Sequence, residues 1–131
     1  MSMFHFDSFL SVVNSQESNI HEPECPVSWP LGGLCRYWHR FYAHSEYQQF
    51  DSCHVDLEWY RIVRKTPKGC WIDDCGKERF VLDVARRKWA YPTKELALDS
   101  WMRRKWKQIG HLERQLRGVK MALELMQTKP E

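Results

Sequence analysis

Thr93 to Gln127 is the stretch that most limits how this chain can fold. It contains no proline, and Leu98, Met102, Ile109, Leu112, Leu116, Val119, Leu123 and Met126 recur at alternating intervals of three and four residues. Lys105 fills the one slot where the pattern turns polar. This periodicity predicts a single long helix with a coiled-coil-like seam. Thr93 is placed to cap its N-terminus, with Glu95 in the first turn near the positive end of the helix dipole and Pro130 closing the C-terminal side. Thirty-five residues rising 1.5 Å each would span roughly 52 Å. A compact chain of this size has a diameter of roughly 36 Å, so the helix should overhang its own domain.

The two halves of the stretch differ. Leu98, Trp101, Met102, Trp106 and Ile109 make a wide apolar stripe suited to covering a sheet. From Leu112 onward the stripe narrows to the seam. Ile109, Leu112, Leu116, Val119 and Leu123 then suit another helix, contributed by a target, by a second copy or by the chain's own N-terminal segment. A homodimer through this helix is the expected assembly. Gly110 and Gly118 each cost about 1 kcal/mol relative to alanine, which softens the overhang unless something covers it.

Upstream, the pattern changes from 3.6 to 2. Residues 4–13 suit a short helix or strand, and Asn14 to Gly33 carries Pro23, Pro26, Pro30 and Gly32-Gly33, which predicts loop. Arg36 to Tyr42 and Leu57 to Lys65 alternate as strands. In the second, Leu57, Trp59, Arg61 and Val63 fall on one side and Glu58, Tyr60, Ile62 and Arg64 on the other. Thr66-Pro67-Lys68-Gly69 is a type I or II turn by composition. Cys70 to Asp73, Arg79 to Asp83 and Lys88 to Tyr91 continue as strands. The expected fold is a single α+β domain over residues 1–131. It comprises a loop-rich region (1–34), an antiparallel meander of about four strands (35–91) and the long helix (93–127), whose first half covers one sheet face.

Charge is unevenly placed although the net value is only +3. Residues 1–56 carry a balance of −5 and residues 57–131 a balance of +8. Arg103, Arg104, Lys107, Arg114 and Arg117 lie on the helix side opposite the seam. Arg86, Arg87 and Lys88 form a second group beside Trp89 and Tyr91. Cations beside rings suit phosphates and stacked bases, or an acidic protein surface. The plainer alternative is a solvated helix face with Asp99–Arg103 and Glu113–Arg117 as ordinary i, i+4 pairs. A dedicated DNA-binding domain would carry more net positive charge.

Chemistry-bearing patterns are weak. The five cysteines show no CxxC spacing, and no secretory leader is apparent, so they read as reduced cytoplasmic thiols without a bound metal. Were zinc to bind, Cys35, His39, Cys53 and His54 would be the first ligands to test. Cys53 or Cys25 with a histidine is the one conceivable nucleophilic pair. Neither a nucleophile elbow nor a phosphate-cradling glycine loop is present, so the expectation is a protein without enzymatic activity or cofactor. No apolar run approaches membrane-spanning length.

The run Trp59-Tyr60-Arg61-Ile62-Val63, Thr66-Pro67-Lys68-Gly69, Trp71-Ile72, Arg79-Phe80-Val81-Leu82-Asp83 and Ala90-Tyr91-Pro92-Thr93-Lys94-Glu95 resembles small accessory proteins of temperate phages and prophages. The resemblance spans about residues 57 to 127. It implies an intracellular phage product in the host cytoplasm and supplies no catalytic residues. By analogy with phage proteins that block host defence complexes, anti-CRISPR inhibitors among them, the expected partner is a host protein or ribonucleoprotein, with direct nucleic-acid binding as the alternative.

Overall fold

The computed structural model describes residues 18–46 and 51–130; the segment 4–13 considered above lies outside them. The chain divides into two compact units, Met1–Ala97 and Leu98–Glu131. The first holds a five-stranded mixed sheet, and the long helix runs from the end of the first unit through the second, so the fold class is α+β.

The sheet is organised on one long strand. β1 is Asn19–His21, β2 Gly33–Tyr42, β3 Ser52–Thr66, β4 Gly69–Asp74 and β5 Lys77–Leu82. β3 pairs antiparallel with β2 from Ser52 to Arg61 and antiparallel with β4 from Ile62 to Thr66. It also pairs in parallel with β1, Asn19 to His21 against His54 to Asp56. β4 and β5 complete an antiparallel hairpin. Two expectations are corrected. The sheet is mixed rather than a pure antiparallel meander, because β1 lies inside the stretch assigned to loop. Lys88 to Tyr91 is not a strand: Tyr91 alone exchanges backbone hydrogen bonds with Cys35, at 2.7 and 2.9 Å.

The two hairpin turns are chemically distinct. Pro67-Lys68 joins β3 to β4 with no positive φ at either position, which excludes a type II turn, and Thr66 Oγ1 donates to the Gly69 carbonyl at 3.0 Å. Cys75-Gly76 joins β4 to β5 with φ of 54° and 88°, the left-handed pair that a type I′ hairpin demands. The Gly76 amide donates to Asp73 Oδ1 at 2.9 Å.

Alternation along β3 sorts its side chains as expected up to Ile62. A bulge at Val63 then shifts the register, so that Ile62 faces Ile72 but Arg64 faces Trp71. Arg64 therefore leaves the side of Tyr60 and Ile62, and its guanidinium lies 4.8 Å from the Trp71 ring centre. On the core side Leu34, Tyr60, Ile62, Cys70, Ile72, Val81 and Ala90 form one buried cluster with Trp89 packed against it. The other side of the β2–β3 pair buries Cys35, Tyr37 and Leu57. The segment ahead of β2 is tied down there, with Trp59 Nε1 donating to the Pro23 carbonyl at 2.8 Å and the Tyr37 hydroxyl donating to Glu22.

The helix, α1, runs unbroken over Lys94–Gln127, through both Gly110 and Gly118, for about 51 Å. Thr93 caps it as expected, its Oγ1 accepting from the Leu96 amide at 3.3 Å and its carbonyl from Ala97. Of the wide apolar stripe, Trp101 and Ile109 are half-buried. Ala97 is the one buried residue of the helix, while Leu98, Met102 and Trp106 remain exposed.

Candidate interaction surfaces

The seam forms because a residue step of three then four keeps returning to one line along a 3.6-residue helix. On α1 the line is open to solvent. Leu112, Leu116, Val119, Leu123 and Met126 keep between 54 % and 67 % of their surface exposed, and Ile109 is half-buried. These side chains form one continuous apolar line from Ile109 to Met126, with no polar interruption, rather than scattered exposed leucines. Lys105 is held by its own helix: its ammonium sits 5.7 Å from the Trp101 ring centre and donates to Gln108 Oε1 at 3.4 Å.

The basic residues of α1 lie off the seam. Arg103, Lys107, Arg114 and Arg117 are exposed and Arg104 is half-buried. Arg103 pairs with Asp99 at 2.8 Å, the i, i+4 pair anticipated, and Arg114 Nη2 contacts His111 Nδ1 at 2.8 Å. Exposed pairs of this kind contribute about 0.5 kcal/mol each and exchange readily for a partner's charges.

The second basic group behaves differently. Arg86 and Arg87 are exposed on the segment between β5 and α1. The Trp89 ring beside them is already engaged by the chain itself. Trp89 has two guanidiniums of the chain itself over its ring, Arg79 at 4.2 Å and Arg36 at 5.1 Å from the ring centre, and packs edge-on with Tyr60 and Trp38 at 4.8 and 5.9 Å. Arg36 Nη1 donates to the Trp89 carbonyl at 2.7 Å, and Trp38 Nε1 donates to the Tyr60 hydroxyl, which donates on to Glu58. Burial, followed by the bond to Glu58, raises the Tyr60 pKa. This stack fastens the 83–92 segment onto the sheet; each guanidinium–ring contact contributes about 0.5–1 kcal/mol, more where water is excluded. Pattern reading missed it. The available signal was that β2 alternation sets Arg36 and Trp38 on the side of Tyr60.

The four residues considered for zinc do not converge. Cys35, His39 and Cys53 share one side of the β2–β3 pair and His54 lies on the other, while Cys35 sits opposite Trp59, six residues along β3 from Cys53. That separation is about 20 Å. Among the described residues no cluster of three or more ligating side chains occurs. His54 Nδ1 instead contacts Asn19 Oδ1 at 2.9 Å. Burial pushes the Cys35 thiol up to about 12 and also raises Cys25, Cys53 and Cys70. A nucleophilic thiol needs the opposite shift.

One shallow groove, where β1 meets β3 and β2, is lined by Asn19, His21, Arg40, Tyr42, His54 and Asp56. Arg40 and Asp56 neutralise each other across it at 3.1 Å. No helix among the described residues is long and apolar enough to cross a membrane. No family model matches this sequence, and neither a curated protein nor a solved structure matches the chain.

Proposed function

We propose that this chain is a phage-type interaction protein without enzymatic activity. It acts in the host cytoplasm by occupying a surface of a nucleic-acid-handling or defence complex, in the manner of an anti-CRISPR inhibitor. The observation that carries the reading is the uninterrupted apolar line from Ile109 to Met126, open to solvent on a continuous helix. Leaving so many leucine-sized groups in water has no benefit to a lone chain, so the line is a docking or dimerisation seam. Arg103, Lys107, Arg114 and Arg117 on the helix side opposite the seam, with Arg86 and Arg87 elsewhere, meet acidic protein or phosphate. The raised thiols and the resemblance of residues 57–127 to phage accessory proteins point the same way.

The test is relief of immunity. The protein is expressed in bacteria whose RNA-guided defence restricts a lytic phage, and plating efficiency is counted. The expected result is restored plating that is lost in Leu116→Asp. Unchanged plating across hosts with different RNA-guided systems refutes the reading. The exposed guanidiniums of α1 favour a second reading, direct nucleic-acid binding. Its signature is an affinity for duplex or single strands that falls steeply with salt.

A further inference from the structure

We infer that the seam pairs with the seam of a second copy, and that the two helices run antiparallel. The inference rests on the reading of the seam as a contact surface and adds its occupant and register. The apolar slots from Ile109 to Met126 are symmetric about a point between Arg117 and Gly118. In an antiparallel pair centred there, Ile109 meets Met126 of the second copy, Leu112 meets Leu123, and Leu116 meets Val119. All six slots are then filled over about 27 Å. The next slot outward is Lys105. It would lie opposite Pro130, beyond the helix end at Gln127, so its charge stays in water.

Charges flanking the seam select the same direction. Between Ile109 and Gln127 the positions bordering it are Glu113, Lys120 and Gln127 on one side and Gln115 and Ala122 on the other. In the antiparallel pair Glu113 faces Lys120 of the second copy, and the two-fold symmetry makes this contact twice. In a parallel pair Glu113 faces Gln108 and Lys120 faces Gln115, so no opposite charges meet. Parallel pairing also stacks Lys105 on Lys105 inside the seam, where like charges at close range oppose association.

The experiment is sedimentation velocity on the full chain from about 1 to about 300 µM, with helix content checked by circular dichroism. The wild type is expected to form dimers. Lys120→Glu sets Glu113 against a glutamate twice and should weaken the dimer about ten-fold. Glu113→Lys combined with Lys120→Glu should restore it, and Lys105→Leu should leave it unchanged. A wild type that stays monomeric at the highest concentration overturns the inference. So does an unaltered Lys120→Glu dimer, or a marked tightening in Lys105→Leu, the mark of parallel pairing. A monomer that still relieves immunity through Leu116 would overturn self-pairing while leaving the interaction reading standing. A charge-swappable dimer that relieves no immunity would do the reverse.

Discussion

Glycine 69 opens β4 at the point where β5 comes closest. A Cβ placed there would lie 2.1 Å from the Val81 carbonyl oxygen and 3.0 Å from the Leu82 Cα, against an ordinary contact of 3.4–4 Å. The obstacle is backbone, so no rotamer change relieves it. Gly69→Ala must push β5 away by more than 1 Å, disturbing the Gly69–Leu82 and Cys70–Val81 pairs and the hydrogen bond from the Asp83 amide to the Lys68 carbonyl. Overpacking of this kind costs about 1–3 kcal/mol, and one or two weakened hydrogen bonds add about 1 kcal/mol each. The expected destabilisation is about 3 kcal/mol, or a fall in Tm on the order of 10 °C. Thermal unfolding followed by tryptophan fluorescence reads it directly, since Trp71 and Trp89 both lie in the affected sheet unit. Gly118→Ala is the matched control. Nothing lies within 4 Å of its added Cβ, and the helix should gain about 1 kcal/mol. A Gly69→Ala variant within 0.5 kcal/mol of wild type would mean that β4 and β5 are not as close as described.

Three further outcomes are expected. Cys75 holds φ at 54°, a conformation costly for most side chains but accepted by asparagine, so Cys75→Asn should raise the urea midpoint by about 0.5–1 kcal/mol equivalent; a loss would refute the type I′ assignment. The Cys35 thiol titrates near 12 in the folded chain against an ordinary 9.0, so the unfolded chain gives up that proton first. Stability from this group is whole below pH 9 and falls progressively between pH 9 and 12. Tyr37 and Tyr60, also raised by burial, add the same sign above pH 10. Unfolding midpoints measured in reductant from pH 7 upward should decline past 9, and a rising midpoint would contradict the burial of these groups. Trp89→Ala removes the ring shared by Arg36 and Arg79 and should cost about 3 kcal/mol by denaturant titration, with Trp89→Phe recovering part of it.

What the sequence disclosed depended on how locally each feature is determined. The helix was legible from end to end, because Thr93, the seam spacing and Pro130 act within a few residues of the positions they govern. The side-chain sorting of β3 was legible as far as Ile62. It failed at Val63, since a bulge is fixed by the strand across from it and leaves no mark in the bulged strand. β1 had no signal: Asn-Ile-His among prolines becomes a strand only because His54 to Asp56 offers an open edge. Lys88 to Tyr91 misled in the opposite direction. Its aromatic residues favour a strand, but Trp89 and Ala90 are drawn into the core cluster and only Tyr91 still pairs.

The same distinction separates the two surfaces. Residues along the seam lie three or four apart, so periodicity alone finds them, and their exposure is the natural result of one apolar line on a helix with a polar remainder. Arg36, Tyr60 and Arg79 are far apart in sequence and are set on one side by strand register, and Trp89 reaches them from the segment after β5. Composition alone set Trp89 beside Arg86 and Arg87, a pairing suited to stacked bases, whereas the ring is occupied by two other arginines of the same chain. An exposed cation next to a tryptophan in sequence therefore indicates a nucleic-acid surface only when the ring faces are open. Here the Trp89 ring already carries Arg36 and Arg79 of the same chain, so the α1 guanidiniums carry the electrostatic case for a charged partner, and the seam carries the apolar one.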